Sequence, residues 1–211
     1  MAVWTINPVS LTPAAAAVAN KMRQALLAVA LFVYSAPALG ETPPHYPEKI
    51  ARSDFQAAFA DAGTAYIAGQ PTADALRAMK ADGVTTVINL RTQPEMDNRK
   101  QVPFDEEALV KQLGMTYVHI PLGGPDTPYT PAAVDQVAQA IKASTGKVLL
   151  HCTVAWRASH MWAAYLMKYQ GVSYEEATRQ ARAVNLDGYT PPNGVTPLQG
   201  FLGQTPPAVA H

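Results

Sequence analysis

The chain has 211 residues, 16 basic and 16 acidic side chains and 48% hydrophobic residues, the composition of an ordinary globular protein. Balanced charge gives no sign of a basic nucleic-acid surface, and a single cysteine, Cys152, excludes any disulfide within the chain.

Residues 1–21 are alanine-rich and uncharged up to Lys21, and read as a leader or as sequence ahead of a true start at Met22. Met22-Arg23-Gln24, the apolar run Ala25 to Tyr34 and the small-residue stretch Ser35 to Gly40 then follow the order of a secretory signal. Cleavage is expected after Gly40. An apolar core of about ten residues is half the roughly twenty that a spanning helix needs, so export to the periplasm or beyond is expected, without stable membrane insertion. The remainder carries 14 basic against 16 acidic residues.

Residues 41–184 are expected to form one domain. A lead-in over His45 to Gly63 suggests a helix around Asp54 to Ala62, closed by Gly63. Ala65 to Ala68 reads as a strand. Thr72 caps a helix over Ala73 to Ala81 that Gly83 stops. Val84 to Leu90, a β-branched run, reads as a buried strand, and Arg91 to Phe104, polar with two prolines, as a surface loop.

A helix over Asp105 to Leu113 and a strand over Thr116 to Ile120 follow. Thr130-Pro131 opens a helix reaching about Ala143. Lys147 to His151 is a strand, and helices are expected over Ala158 to Gln170 and, from the cap Ser173, over Tyr174 to Val184. The tail 185–211 has five prolines, four glycines and no amphipathic period, and reads as an extended strap or disordered. Strands alternating with helices imply an α/β fold with a mainly parallel central sheet, flanked by helices, and ligands at the carboxyl ends of the strands.

The chemistry concentrates at Val148 to Ser159. An apolar strand ending in His151-Cys152, a short loop and a helix place a thiol where loop amides and the helix N-terminus stabilise negative charge and lower its pKa. The amides of Thr153, Val154, Ala155 and Trp156 are suited to cradling oxyanion oxygens, and Arg157 to holding two of them through its planar fork. His151 is assigned to the loop's support, bonding the Cys152 backbone.

Four landmarks occur in order: Tyr66-Ile67-Ala68-Gly69-Gln70-Pro71, Val87-Ile88-Asn89-Leu90-Arg91, Tyr117-Val118-His119-Ile120-Pro121, and His151-Cys152 through Arg157-Ala158-Ser159. On these the segment from about Ala65 to Tyr169 resembles the bacterial dual-specificity-like branch of the protein tyrosine phosphatase superfamily associated with beta-lactamase-hydrolase-like proteins. The resemblance implies a cysteine-phosphatase fold, hydrolysis of phosphomonoesters through a cysteinyl-phosphate, and a general-acid aspartate upstream of the cysteine strand. Asp126 in Gly123 to Pro128 matches that position; Asp135, inside a helix, is the weaker candidate. Ser159 is a candidate for assisting departure of the thiolate, or a first-turn serine that bonds the backbone. Arg91 is a source of positive potential at the site, or a partner of Glu95 or Asp97. Tyr189 is a minor candidate for gripping substrate.

Only four residues separate Cys152 from Arg157, against five in common tyrosine phosphatases, and Ala155 stands where glycine is usual. The same loop length suits a rhodanese-like sulfurtransferase carrying a Cys152 persulfide, or a non-catalytic phosphoryl-binding module, and both stay open. No metal pair of histidines and no nucleotide fingerprint is present, so neither metal nor cofactor is expected. The expected partner is a phosphorylated protein or small molecule, bound by a monomer.

Overall fold

The computed structural model describes residues 47–191 and 194–204. The leader, signal and cleavage point proposed for residues 1–40 lie outside these residues. Six strands form one sheet in the order β1-β2-β3-β6-β4-β5. They are β1 (Glu48–Lys49), β2 (Phe59–Asp61), β3 (Ala65–Ala68), β4 (Val84–Asn89), β5 (Thr116–His119) and β6 (Lys147–His151). The pairings β3–β6, β6–β4 and β4–β5 are parallel, and β1 and β2 extend the sheet antiparallel beyond β3.

The central strands are almost wholly buried, as aliphatic runs covered on both faces must be. On one face lie α1 (Ala73–Ala81) and α3 (Glu106–Gln112); α4 (Pro131–Ala143), α5 (Trp156–Gln170), α6 (Tyr174–Val184) and α7 (Pro197–Phe201) form the other layer. The caps Thr72, Thr130 and Ser173 were legible locally, and Asp105, read as the first helical residue, is a cap as well; each accepts an amide of the first helical turn. Among the described residues no helix is long and apolar enough to cross a membrane.

Three elements differ from the sequence reading. The helix expected around Asp54 to Ala62 is a turn and strand β2. Phe55 and Phe59 show helical spacing, but Ala57 takes a left-handed φ of 66°, and the rings meet at 4.5 Å before Phe59 stacks on Tyr66. The loop over Arg91 to Phe104 contains a short helix, α2 (Gln93–Asp97), started by a reciprocal capping box between Thr92 and Glu95. The tail contains α7, whose Leu198 and Phe201 are buried in the core although no amphipathic period announced them.

Register positions the site. Ala68 and Asn89 both pair with His151, so the chain leaves the sheet at Cys152, between two strands that end level with it. Gly69, in the first landmark, lies where backbones crowd: a β-carbon there would come within 1.7 Å of the Gln56 carbonyl and 2.9 Å of the Thr153 carbonyl. Its absence lets Gly69 N–H donate to Ala58 and Gln70 N–H donate to Thr153, seating the loop after Cys152 against the sheet edge.

Candidate active site

Cys152 lies on the floor of a cleft of about 780 Å³ and is 1% exposed. Its backbone N–H donates to Ala68, and among the described residues no acceptor takes the N–H of Thr153 or Val154. Ala155 precedes α5 at a φ of 65°, the left-handed conformation glycine adopts freely and alanine does not. Thr153, Val154, Trp156 and Arg157 line the cleft with Cys152; Ala155 is fully buried and does not.

Arg157 is held from several directions. Its Nη1 donates to the carbonyls of Leu122 (2.7 Å) and Leu90 (3.2 Å) and to Glu95 Oε2 (2.9 Å). Its Nη2 donates to Glu95 Oε1 (2.5 Å) and Thr153 Oγ1 (3.0 Å). Glu95 also receives Thr153 Oγ1–H at 2.7 Å and the N–H and hydroxyl of Thr92. Burial opposes ionisation of Glu95, but the Arg157 fork and these donors prevail and hold its carboxyl at about 2.

Asp126 is exposed and lines the same cleft. Its loop closes through Gly123 N–H to Thr127 (2.7 Å) and Thr127 N–H to Gly124 (3.1 Å). Tyr129 forms another wall, its ring edge-on to Phe201 of α7 at 5.4 Å, so the C-terminal helix braces the Asp126 side of the cleft. Gly188 and Tyr189 complete the rim, Tyr189 edge-on to Trp156 at 5.0 Å, while Asn185 Nδ2 donates to the Val154 carbonyl at 2.6 Å.

Two assignments move. His151 supports the loop from a different partner: its Nε2 meets Glu106 Oε1 at 3.0 Å, not the Cys152 backbone, and both side chains are fully buried. Ser159 is fully buried with its hydroxyl donating to the Ala155 carbonyl at 2.7 Å, so it turns back on its own helix rather than into the cleft. Asp135 is outside the cleft, paired with Lys168 and Tyr169 on the surface.

Glu95 is what sequence reasoning missed. Its capping-box spacing from Thr92 was legible, but it was read only as a possible partner of Arg91, whose Nε is 3.7 Å from Glu95 Oε1. The dominant partner, Arg157, is 62 positions away.

The cleft thus joins a buried cysteine at a strand end, a short loop, an arginine fork and the exposed Asp126. Residues 50–191, about two thirds of the chain, match the family described as DSP-PTPase phosphatase fused to NAD+ kinase. The chain belongs to this family. It has the α/β fold of the protein tyrosine phosphatase superfamily.

Beta-lactamase hydrolase-like protein of Xylella fastidiosa is 32% identical over 97 residues, 46% of this chain. The match covers only 22% of that relative's length. A solved DUF442 phosphatase-class protein of Shewanella putrefaciens is 25% identical with a TM-score of 0.52, covering 71% of this chain and 90% of its own. TpbA of P. aeruginosa shares the fold at 16% identity, with a TM-score of 0.53 over 77% of this chain and 92% of its own.

Proposed function

We propose that this family member is an exported cysteine-dependent phosphatase that cleaves phosphomonoesters through a cysteinyl-phosphate. Cys152 attacks phosphorus, and its sulfur forms the new bond as the ester oxygen leaves. Asp126 gives that oxygen its proton, and water then releases phosphate and regenerates the thiolate. The positive charge of Arg157, its fork held by Glu95, and the unclaimed loop amides stabilise the charge that spreads over the equatorial oxygens. The observation that carries the reading is the meeting of Cys152, Arg157 and Asp126 in one cleft, with Arg157 already oriented by Glu95. Export rests on the charged, apolar and small-residue order of residues 22–40.

A second reading, sulfur transfer through a Cys152 persulfide, is favoured by the four-residue loop and needs no acid. Turnover of an aryl phosphate, run beside a thiosulfate-to-cyanide assay, separates the two. Phosphatase activity should vanish in Cys152→Ser while tungstate still binds, because a hydroxyl is a far weaker nucleophile but the amides persist. Asp126→Asn should slow a poor-leaving-group alkyl phosphate by ~10²–10⁴-fold and an aryl phosphate much less. Cyanide-dependent turnover without phosphatase activity would replace this reading with the second.

A further inference from the structure

The cleft is far larger than a phosphoryl group, and the mechanism above uses only its floor. A volume of about 780 Å³ lies in the range of sites that enclose a whole small molecule, so most of it is left for the leaving group. Beyond Cys152 and Arg157 the lining includes three aromatic rings, Tyr129, Trp156 and Tyr189. Tyr189 differs from the other two. Trp156 is 9% exposed and sits edge-on to His160 at 5.1 Å, and Tyr129 is braced by Phe201, but Tyr189 is 52% exposed. Its ring stands at 88° to that of Trp156, which leaves at least one face of Tyr189 clear of Trp156. An open aromatic face on the rim of a cleft is suited to covering a flat apolar group.

The segment that carries this ring is fixed to the Cys152 loop. Leu186 is buried, with its N–H donating to the Ala181 carbonyl at 3.1 Å, and Asn185 Nδ2 donates to the Val154 carbonyl at 2.6 Å. A β-carbon on Gly188 would come within 2.2 Å of Asn185 Oδ1, so the glycine lets the chain fold closely over the Asn185 amide just before Tyr189. Charge narrows the choice of ligand. Among the described lining residues Arg157 is the only cation and already faces Glu95, while Glu95 and Asp126 are acidic. With a phosphoryl group on the floor, no cationic side chain of the lining remains for a second negative group, which would meet like charge instead.

We propose that Tyr189 is a specificity-determining residue that seats a flat, ring-bearing leaving group without negative charge, so that the cleft prefers singly phosphorylated ring esters to small aliphatic or multiply phosphorylated ones. The inference rests on the reading that the Cys152 loop binds a phosphoryl group.

Calorimetric titration of the full chain with non-hydrolysable phosphonates tests this without turnover. Benzylphosphonate should bind about fivefold more tightly than methylphosphonate. A benzylphosphonate with a second phosphonomethyl group on its ring should bind about tenfold more weakly than benzylphosphonate itself. Tyr189→Ala should remove most of the ring preference and leave methylphosphonate affinity unchanged, which also shows that the variant is folded. Tyr189→Phe should keep the preference, since the ring face acts and not the hydroxyl. Free ring esters and rings borne on a peptide share this chemistry: equal affinity for benzylphosphonate and for the same ring built into a neutral peptide supports the proposal with a small-molecule source, and tighter binding of the peptide supports it with a protein source. A ring preference unchanged in Tyr189→Ala, an equal loss for both simple phosphonates, or tighter binding of the doubly charged probe overturns the proposal. If neither tungstate nor methylphosphonate binds the unchanged protein, the phosphoryl reading itself fails and takes this inference with it.

Discussion

The two faces of the sheet end differently beneath the Cys152 loop. On the α5 side Ile88, Leu90, Leu150 and Cys152 belong to an apolar cluster with Met161 and Phe201, held by shape. On the α3 side the same strands end in Asn89, Arg91 and His151, joined to Gln70 and Glu106 by paired charges and amides. Alternation along a strand makes this possible, since neighbours point to opposite faces. The loop therefore rests on an apolar floor on one side and a buried polar frame on the other. The first face tolerates loss of volume only at a cost in stability, whereas the second transmits loss of one partner to the whole frame.

The sharpest way to break the contrast is Glu106→Ala. It strips the acceptor from Gln70, Asn89 and His151 and leaves Arg91 with less compensating charge, so destabilisation of about 3–5 kcal/mol is expected by denaturant unfolding. On the apolar face, Leu150→Ala should cost about 2–5 kcal/mol, with the cavity deciding where in that range it falls. Tungstate affinity per folded molecule should stay unchanged there but fall in the Glu106 variant. Equal effects of both on affinity would erase the distinction between the faces.

Glu95→Gln sharpens the comparison at the seam between the faces. The amide keeps the size but not the charge that orients Arg157, so kcat/KM should fall by roughly 10–100-fold, the equivalent of losing one charge-assisted contact. Raising the substrate concentration should recover part of the rate if Arg157 acts mainly in binding.

The mildest perturbation is acid. His160, buried in the apolar layer edge-on to Trp156, is held at about 4 against an ordinary 6.5, because burial disfavours its charged form. Between those values the unfolded chain binds more proton than the folded one, so stability falls as pH drops from about 6.5 toward 4, by at most about 1.4 kcal/mol per pH unit, and levels off below. Glu95 acts in a separate, lower window: its stabilisation is present above its ordinary 4.5 and is lost as pH falls toward about 2. His160→Phe should flatten the first limb and leave the second. A slope unchanged in His160→Phe would assign the first limb to another group.

The sequence by itself determined what depends on neighbours along the chain. Helix starts at Thr72, Thr130 and Ser173 were legible because a cap and the amide it satisfies lie within one turn. Strand β6 and the site's Cys152-to-Arg157 segment were legible because an aliphatic run followed by loop and helix is local pattern. The family landmarks added the order of these pieces and the Asp126 loop.

The tertiary structure alone decided what depends on distant partners. The spacing of Phe55 and Phe59 fits a helix face and a turn into a strand equally well; pairing with β3 chose the strand. Glu95 became the support of Arg157, and Glu106 that of His151, only once the sheet had brought residues 62 and 45 positions apart within hydrogen-bond reach. Pro197–Phe201 became core because α5 and Tyr129 offered a surface to cover. Local hydrogen bonding and periodicity are written along the chain, but the charge partner of a buried group is set by which strands become neighbours, and short-range pattern carries no record of that.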